Sequence, residues 1–236
     1  MVYFLLIIYS SIFISFIQVA GECFPIKKSF LFRFSECNYC QKTLSFSQMI
    51  PIYSFLFLKG KSKCCQTPIP LNYFLLELTT PIYILLLHYQ FSFSYHFVIG
   101  CIIYYFLAFF LVTDILYLHV PNSVMSLFFL ALLACYFSFQ QPAVSLIYSI
   151  VISNCFYLLF FILFRKGIGL GDIKILIILS SFLGFEMGYV IFFLSIVLGA
   201  IILLSALVLK KVEKNKQVPF VPYIFISFII VSILMK

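Results

Sequence analysis

Charge is what this sequence has least of: 9% of its 236 residues are Asp, Glu, Lys or Arg, against about 25% in soluble domains. With 64% hydrophobic residues, that deficit excludes a water-soluble globular domain, because too little polar surface remains to cover a core. Tryptophan is absent, and glycine and proline number nine each, which excludes a collagen-like chain; the apolar surplus likewise excludes intrinsic disorder. Neither GxxxxGK[ST] nor GxGxxG occurs, so nucleotide binding is set aside. No internal repeat and no disordered linker is evident. The net charge of +8 is read first as membrane topology, not as a nucleic-acid surface.

The solvent for most of this chain is therefore lipid. A bilayer core of about 30 Å needs ~20 apolar residues in a helix, and nearly uncharged apolar stretches recur at 2–20, 71–89, 95–113, 123–139, 143–164, 173–185, 187–209 and 219–235. The expectation is an all-α, polytopic helical bundle of about eight transmembrane helices with one cytoplasmic, cysteine-containing loop. The sixth stretch is the shortest, ending before a turn placed at Gly184–Gly188, so it must be tilted, short or extended into a neighbouring loop. No Lys or Arg precedes the apolar run that follows Met1, so the first stretch reads as an anchor and not a cleaved signal. The 32 Phe and 16 Tyr suit lipid-facing and interfacial packing and carry no information about a ligand.

All basic residues except Lys236 fall in three segments: Lys27, Lys28, Arg33, Lys42, Lys59, Lys61 and Lys63; then Arg165, Lys166 and Lys174; then Lys210, Lys211, Lys214 and Lys216. The positive-inside rule places all three in the cytoplasm, with the amino terminus outside and an even number of spans. Three parts follow: a first transmembrane helix at 1–20, a basic cytoplasmic loop at 21–70, and a membrane-embedded remainder at 71–236.

The chain has two aspartates, Asp114 and Asp172, and this topology puts both at cytoplasmic ends of spans. A carboxylate at a helix centre costs about 2.5 to 3.5 kcal/mol on insertion scales, so an acid in a span is a functional hypothesis by default. Two carboxylates sharing a pocket do not both ionise easily; the pair keeps one proton, so one member can act as base toward water and the other as acid toward a carbonyl oxygen. Their ionisations are coupled and belong to the pair. Asp172 follows Gly167-Ile168-Gly169-Leu170-Gly171, whose alternate glycines leave backbone bare enough for an extended peptide to approach. After Asp114, Val120-Pro121-Asn122 marks a chain reversal.

The pair of Asp114 with Val120-Pro121-Asn122 and of Gly169-Leu170-Gly171-Asp172-Ile173-Lys174 resembles the two active-site motifs of the type IV prepilin peptidases, membrane aspartic peptidases of the GxGD type. Further matches run along nearly the whole chain: Cys37-Asn38-Tyr39-Cys40, Ile50–Phe55, Lys59-Gly60-Lys61, Cys65 with Pro68-Ile69, Glu77, and Pro219-Phe220-Val221-Pro222-Tyr223. The resemblance implies an endopeptidase of the bacterial cell membrane that removes the basic leader of prepilin or pseudopilin precursors at the cytoplasmic face. Asp114 and Asp172 would be its catalytic dyad, with Gly169, Gly171 and Lys174 in the active-site loop. The Phe-, Ile- and Lys-rich composition without Trp suggests an AT-rich genome, and with the imperfect cysteine loop it is similar to the competence-type members, whose substrates are competence pseudopilins. The partners implied are such precursors and the bilayer, and no nucleic acid; oligomeric state is not legible.

Eight cysteines in such a chain are not a disulfide framework, because the cytosol is reducing. Cys101, Cys135 and Cys155 lie in spans as packing residues. Cys37-x-x-Cys40 followed by Cys64-Cys65 resembles a two-knuckle Zn2+ site, but Ser62 stands where the family's second knuckle carries a cysteine. Cys37, Cys40 and Cys65 are then three ligands, with Cys64 the candidate fourth and Cys23 or water the alternatives; reduced structural thiols are the competing reading. Many members of the resembled family also methylate the new amino terminus with S-adenosylmethionine, an activity associated with the cysteine loop, whereas others only cleave. Glu77, inside the second stretch, reads either as a polar contact near the dyad or loop, or as a partner of Lys59, Lys61 or another edge cation. His88, His96 and His119 are not read as ligands. Two other classes compete: a small transporter, whose sites tend toward the bilayer midplane between repeats, and a non-enzymatic membrane assembly or adaptor protein, which leaves the aspartates unexplained.

Overall fold

The computed structural model describes residues 1–30, 40, 42–43, 55, 57–164, 169–209 and 217–234. Eight α-helices and no strand occur among them: α1 Val2–Cys23, α2 Leu71–Phe91, α3 Tyr95–Tyr117, α4 Asn122–Ser138, α5 Ala143–Leu163, α6 Leu170–Leu183, α7 Phe185–Val208 and α8 Val221–Leu234. Each corresponds to one apolar stretch of the sequence. Five of them (α1, α2, α3, α5 and α7) are long and apolar enough to cross a membrane by length and composition, and the chain is a multi-pass membrane protein.

The chain divides into two compact units, Met1–Tyr89 and Gln90–Lys236. In the first, α1 and α2 run antiparallel: Tyr3 meets His88 edge to face at 5.4 Å, Ser15 meets Glu77, and Gln18 meets Tyr73. The buried residues of α1 include Ser10, Ile14, Ile17, Gln18 and Gly21, a helical spacing that presents one stripe to α2. Pro81 inside α2 cannot donate to the carbonyl four residues back. One residue earlier, the Thr80 hydroxyl donates to the Leu76 carbonyl at 2.6 Å, next to the Glu77 carbonyl that the proline leaves without its helical donor.

In the second unit, α3 packs against α4 and α8, α4 against α6, α6 against α5 and α7, and α7 against α8. The neighbours α3, α4, α6, α7 and α8 close a ring, with α5 outside it on α6. Leu107 through Asp114 are all buried. These two turns of α3 are thus covered on every face by protein, which is how a carboxylate is carried to that depth in an otherwise apolar helix. Rings fill the seams: Phe106 stacks on Phe128 of α4 at 4.9 Å, and Tyr104 meets Phe225 of α8 at 5.0 Å.

The sixth helix is the short one. At 14 residues it spans about 21 Å at 1.5 Å per residue, and it starts at Leu170, three residues before the expected Ile173, so Asp172 sits in its first turn. The turn expected over Gly184–Gly188 is confined to Gly184, with α7 already under way at Phe185. Gly184 has φ 92°, a conformation that L side chains rarely adopt. Gly188 serves packing instead: a Cβ there would overlap Ser180 Oγ and lie 2.5 Å from Ser180 Cα, so α6 and α7 touch through bare backbone. The same Ser180 hydroxyl bonds the Tyr157 hydroxyl of α5 at 2.9 Å.

Candidate active site

Asp114 lies in the last turn of α3, 7% exposed. The helix ends just beyond it, where Leu118 takes a left-handed conformation (φ 49°, ψ 38°) and its N–H donates to the Asp114 carbonyl at 2.9 Å. This is an αL cap without the usual glycine. The Asp114 carboxylate accepts the Val221 N–H at 3.0 Å, with the Phe220 N–H beside it, both from the start of α8. Those donors are backbone groups, which leave no side-chain signal in a sequence; the visible trace is the pair Pro219 and Pro222 that brackets them.

Asp172 reaches back to accept the N–H of Gly169, the N-cap of α6. This is the carboxylate half of a capping box. The residues that flank the two aspartates, 58 positions apart in the sequence, are in contact with each other.

The glycines and flanking residues show how the two motifs lock. A Cβ on Gly169 would lie 3.0 Å from Asp172 Oδ2, and a Cβ on Gly171 would lie 3.1 Å from both Cβ and Cγ2 of Val120. The room beside each glycine is therefore held by this chain's own Asp172 and Val120. Lys174 Nζ donates to Asn122 Oδ1 at 2.8 Å on the exposed side. Val120 and Asn122 thus meet Gly171 and Lys174, and the Val120-Pro121-Asn122 turn is fitted against the first turn of α6. Gly167 and Ile168 lie outside the described residues.

A second cluster lies in the first unit. The Sγ atoms of Cys40, Cys64 and Cys65 lie within 4.8 Å of one another, with Cys40 to Cys64 at 3.1 Å and Cys64 to Cys65 at 3.8 Å. Two thiolates on a tetrahedral zinc, at Zn–S of about 2.3 Å, stand about 3.8 Å apart, so the neighbouring Cys64 and Cys65 can share one ion. A tight knuckle sets them: Ser62 N–H donates to the Thr67 carbonyl at 2.9 Å and Gln66 N–H to the Ser62 carbonyl at 3.0 Å, with Lys61 bridged to Pro68. Ser62 Oγ lies 3.0 Å from Cys65 Sγ and 3.1 Å from Thr67 Oγ1, so the residue in the missing cysteine's place sits beside the sulfurs. Cys23 is buried in the last turn of α1 and is not one of the converging sulfurs; Cys37 lies outside the described residues.

Glu77 accepts the Ser15 hydroxyl of α1 at 2.7 Å, a partner that neither reading of the sequence named. The Tyr73 hydroxyl donates to Glu22 and Gln18 Nε2 donates to the Tyr73 carbonyl at 3.0 Å, completing a polar seam between α1 and α2. His88 packs on Tyr3, His96 lies beside Phe91 and Tyr95, and His119 is exposed.

Two family models match. The bacterial peptidase A24 N-terminal domain covers residues 8–91, and the type IV leader peptidase family covers residues 101–204. A protein of Bacillus subtilis (strain 168) named prepilin leader peptidase/N-methyltransferase is 30% identical over 230 residues, spanning 93% of this chain and 89% of its own. Proteins of the same name from Pectobacterium carotovorum subsp. carotovorum and Neisseria gonorrhoeae are 27% and 29% identical, each over 82% of this chain and over 71% and 68% of their own length. No solved structure matches the chain significantly. With its two aspartates set in interlocking motifs and a relative of this identity over nearly its full length, the chain belongs to the type IV leader peptidase family.

Proposed function

We propose that this protein is a membrane aspartic endopeptidase that removes the basic leader of prepilin or pseudopilin precursors, using Asp114 and Asp172 as its dyad. The observation that carries this reading is the interlocking of the turn that follows Asp114 with the helix turn that carries Asp172, the chain's entire complement of aspartates, in a chain of this family. With one proton shared across the pair, the ionised carboxylate takes a proton from water as the water oxygen attacks the scissile carbonyl carbon, and the protonated one gives its proton to the carbonyl oxygen. Collapse of the tetrahedral species breaks the C–N bond as the first carboxyl passes its proton to the leaving nitrogen and a hydroxyl of the gem-diol returns a proton to the second carboxylate. A free amino terminus and a leader carboxylate result, with both aspartates ready for another turnover. Transporter and adaptor readings are not favoured, since neither accounts for family membership.

The positive-inside census supports a cytoplasmic active site and an external amino terminus, where a basic leader still in the cytoplasm would meet the dyad. The test is co-expression with a panel of pilin-like precursors, followed by gel shift and sequencing of the new amino terminus. Cleavage between the basic leader and the apolar helix is expected; intact precursors throughout would sink the reading. The relatives' names join leader peptidase to N-methyltransferase; a methyl group from S-adenosylmethionine on the new amine would appear in the mass of that terminus.

The convergence of Cys40, Cys64 and Cys65 supports Zn2+ at the cysteine knuckle, with Cys37 as a further candidate ligand and Cys64 replacing the cysteine lost to Ser62. The ion would hold two distant loop segments together. Protein purified without added chelator is expected to carry about one zinc per chain, and Cys64→Ser to lower that content; equal zinc in both, or none in either, would remove Cys64 from the ligand set.

A further inference from the structure

Asp172 takes its amide from its own helix, whereas Asp114 takes one, with a second beside it, from a segment more than a hundred residues away. Every backbone N–H at that end of α8 has a destination. Pro219 and Pro222 have none to give, and those of Tyr223 and Ile224 donate to the Phe220 carbonyl at 3.0 and 3.4 Å. The two left over, on Phe220 and Val221, both point to Asp114. Val221 is the first residue of α8, so its N–H has no acceptor within the helix. The start of α8 is itself held in place: Val221 is fully buried, and the Tyr223 ring lies 3.2 Å from where a Cβ on Gly199 of α7 would stand. These residues also lie beyond the 101–204 stretch that matches the family model.

We infer that Pro219–Pro222 is a positioning element for peptide cleavage, whose amide pair fixes the orientation in which the Asp114 carboxylate meets substrate. The inference rests on the peptidase reading above. It makes the last helix part of the catalytic apparatus although it supplies no reactive side chain. It also accounts for the two prolines, which remove competing donors and fix the backbone so that two amides point one way.

The decisive substitution is Val221→Pro, which deletes one donor at the first helical position, where proline fits the helix best and favours the extended backbone an N-cap adopts. Val221→Ala trims the same side chain and keeps the N–H. Both are measured at matched membrane abundance on a cleaved precursor, with kcat and apparent KM separated. Val221→Pro is expected to lower kcat about 10-fold below that of Val221→Ala, as the loss of a hydrogen bond to a charged group does, with the same KM in both. Wild-type kcat in Val221→Pro, or an equal fall in Val221→Ala, overturns the inference and leaves the peptidase reading standing. Absence of cleavage by wild type overturns both. Should Val221→Pro fail to accumulate, Gly199→Ala takes its place, because its methyl presses on Tyr223 and shifts the first turn of α8; a fall in kcat at constant KM is expected, and an unchanged kcat overturns the inference.

Discussion

Replacing either aspartate by asparagine is expected to lower precursor cleavage by about 10³-fold or more while leaving the protein in the membrane at wild-type abundance. Asparagine keeps the size of aspartate and an oxygen that can accept hydrogen bonds. At 114 the amides of Phe220 and Val221 retain a partner, and at 172 the Gly169 N–H does too. What is lost is the ability to exchange a proton with water or with the carbonyl oxygen. Because the two groups act as one unit, Asp114→Asn/Asp172→Asn is expected to be no worse than either single variant, as for other catalytic sets removed piecemeal. Immunoblots of the membrane fraction beside the gel shift measure both quantities. Cleavage that survives either single substitution at matched abundance would break the dyad mechanism, and loss of the protein itself would make the aspartate a structural residue.

The helices are legible in the sequence because lipid simplifies the code: an uncharged apolar run of sufficient length must satisfy its own backbone, and a helix does so within one segment. The differences fall where that rule is silent. Hydropathy starts α6 after Asp172 because a charged residue reads as the edge of a span, yet in the first turn the carboxylate caps its own helix through Gly169. The Gly184–Gly188 stretch reads as one turn because both ends are glycines, but Gly184 answers to a positive φ and Gly188 to contact with Ser180, which no local pattern distinguishes. Glu77 accepts a hydrogen bond from Ser15, 62 positions away, and a serine in an apolar helix carries no mark of its contact. Asp114 and Asp172 stand out through scarcity, whereas the amides of Phe220 and Val221 belong to the backbone and have no side-chain signature.

Gly171 offers the sharpest test of how the two motifs depend on each other. Its backbone is helical and outside the left-handed region, so alanine is not strained there, and on propensity alone Gly171→Ala should strengthen the helix by up to about 1 kcal/mol. The obstacle is Val120, whose branched Cβ lies 3.1 Å from where the new methyl would stand. A Cβ next to the backbone cannot swing aside as the end of a flexible side chain can, so the turn that follows Asp114 must shift relative to the turn that carries Asp172. A displacement of that kind changes the distance between reacting groups, and a misplacement of about 1 Å can cost 10²-fold in rate. Gly171→Ala is therefore expected to reduce cleavage about 10-fold and Gly171→Val about 100-fold, with abundance in the membrane unchanged. Removing the opposing bulk should restore the fit: Val120→Gly, which takes away the Cβ as well as the two methyls, in the Gly171→Ala background is expected to recover activity to within about threefold of wild type, a coupling that a double-mutant cycle isolates. Equal losses in the single and double variants would mean that Gly171 serves the substrate directly, through the bare backbone its sequence advertises, and that its contact with Val120 is incidental to catalysis.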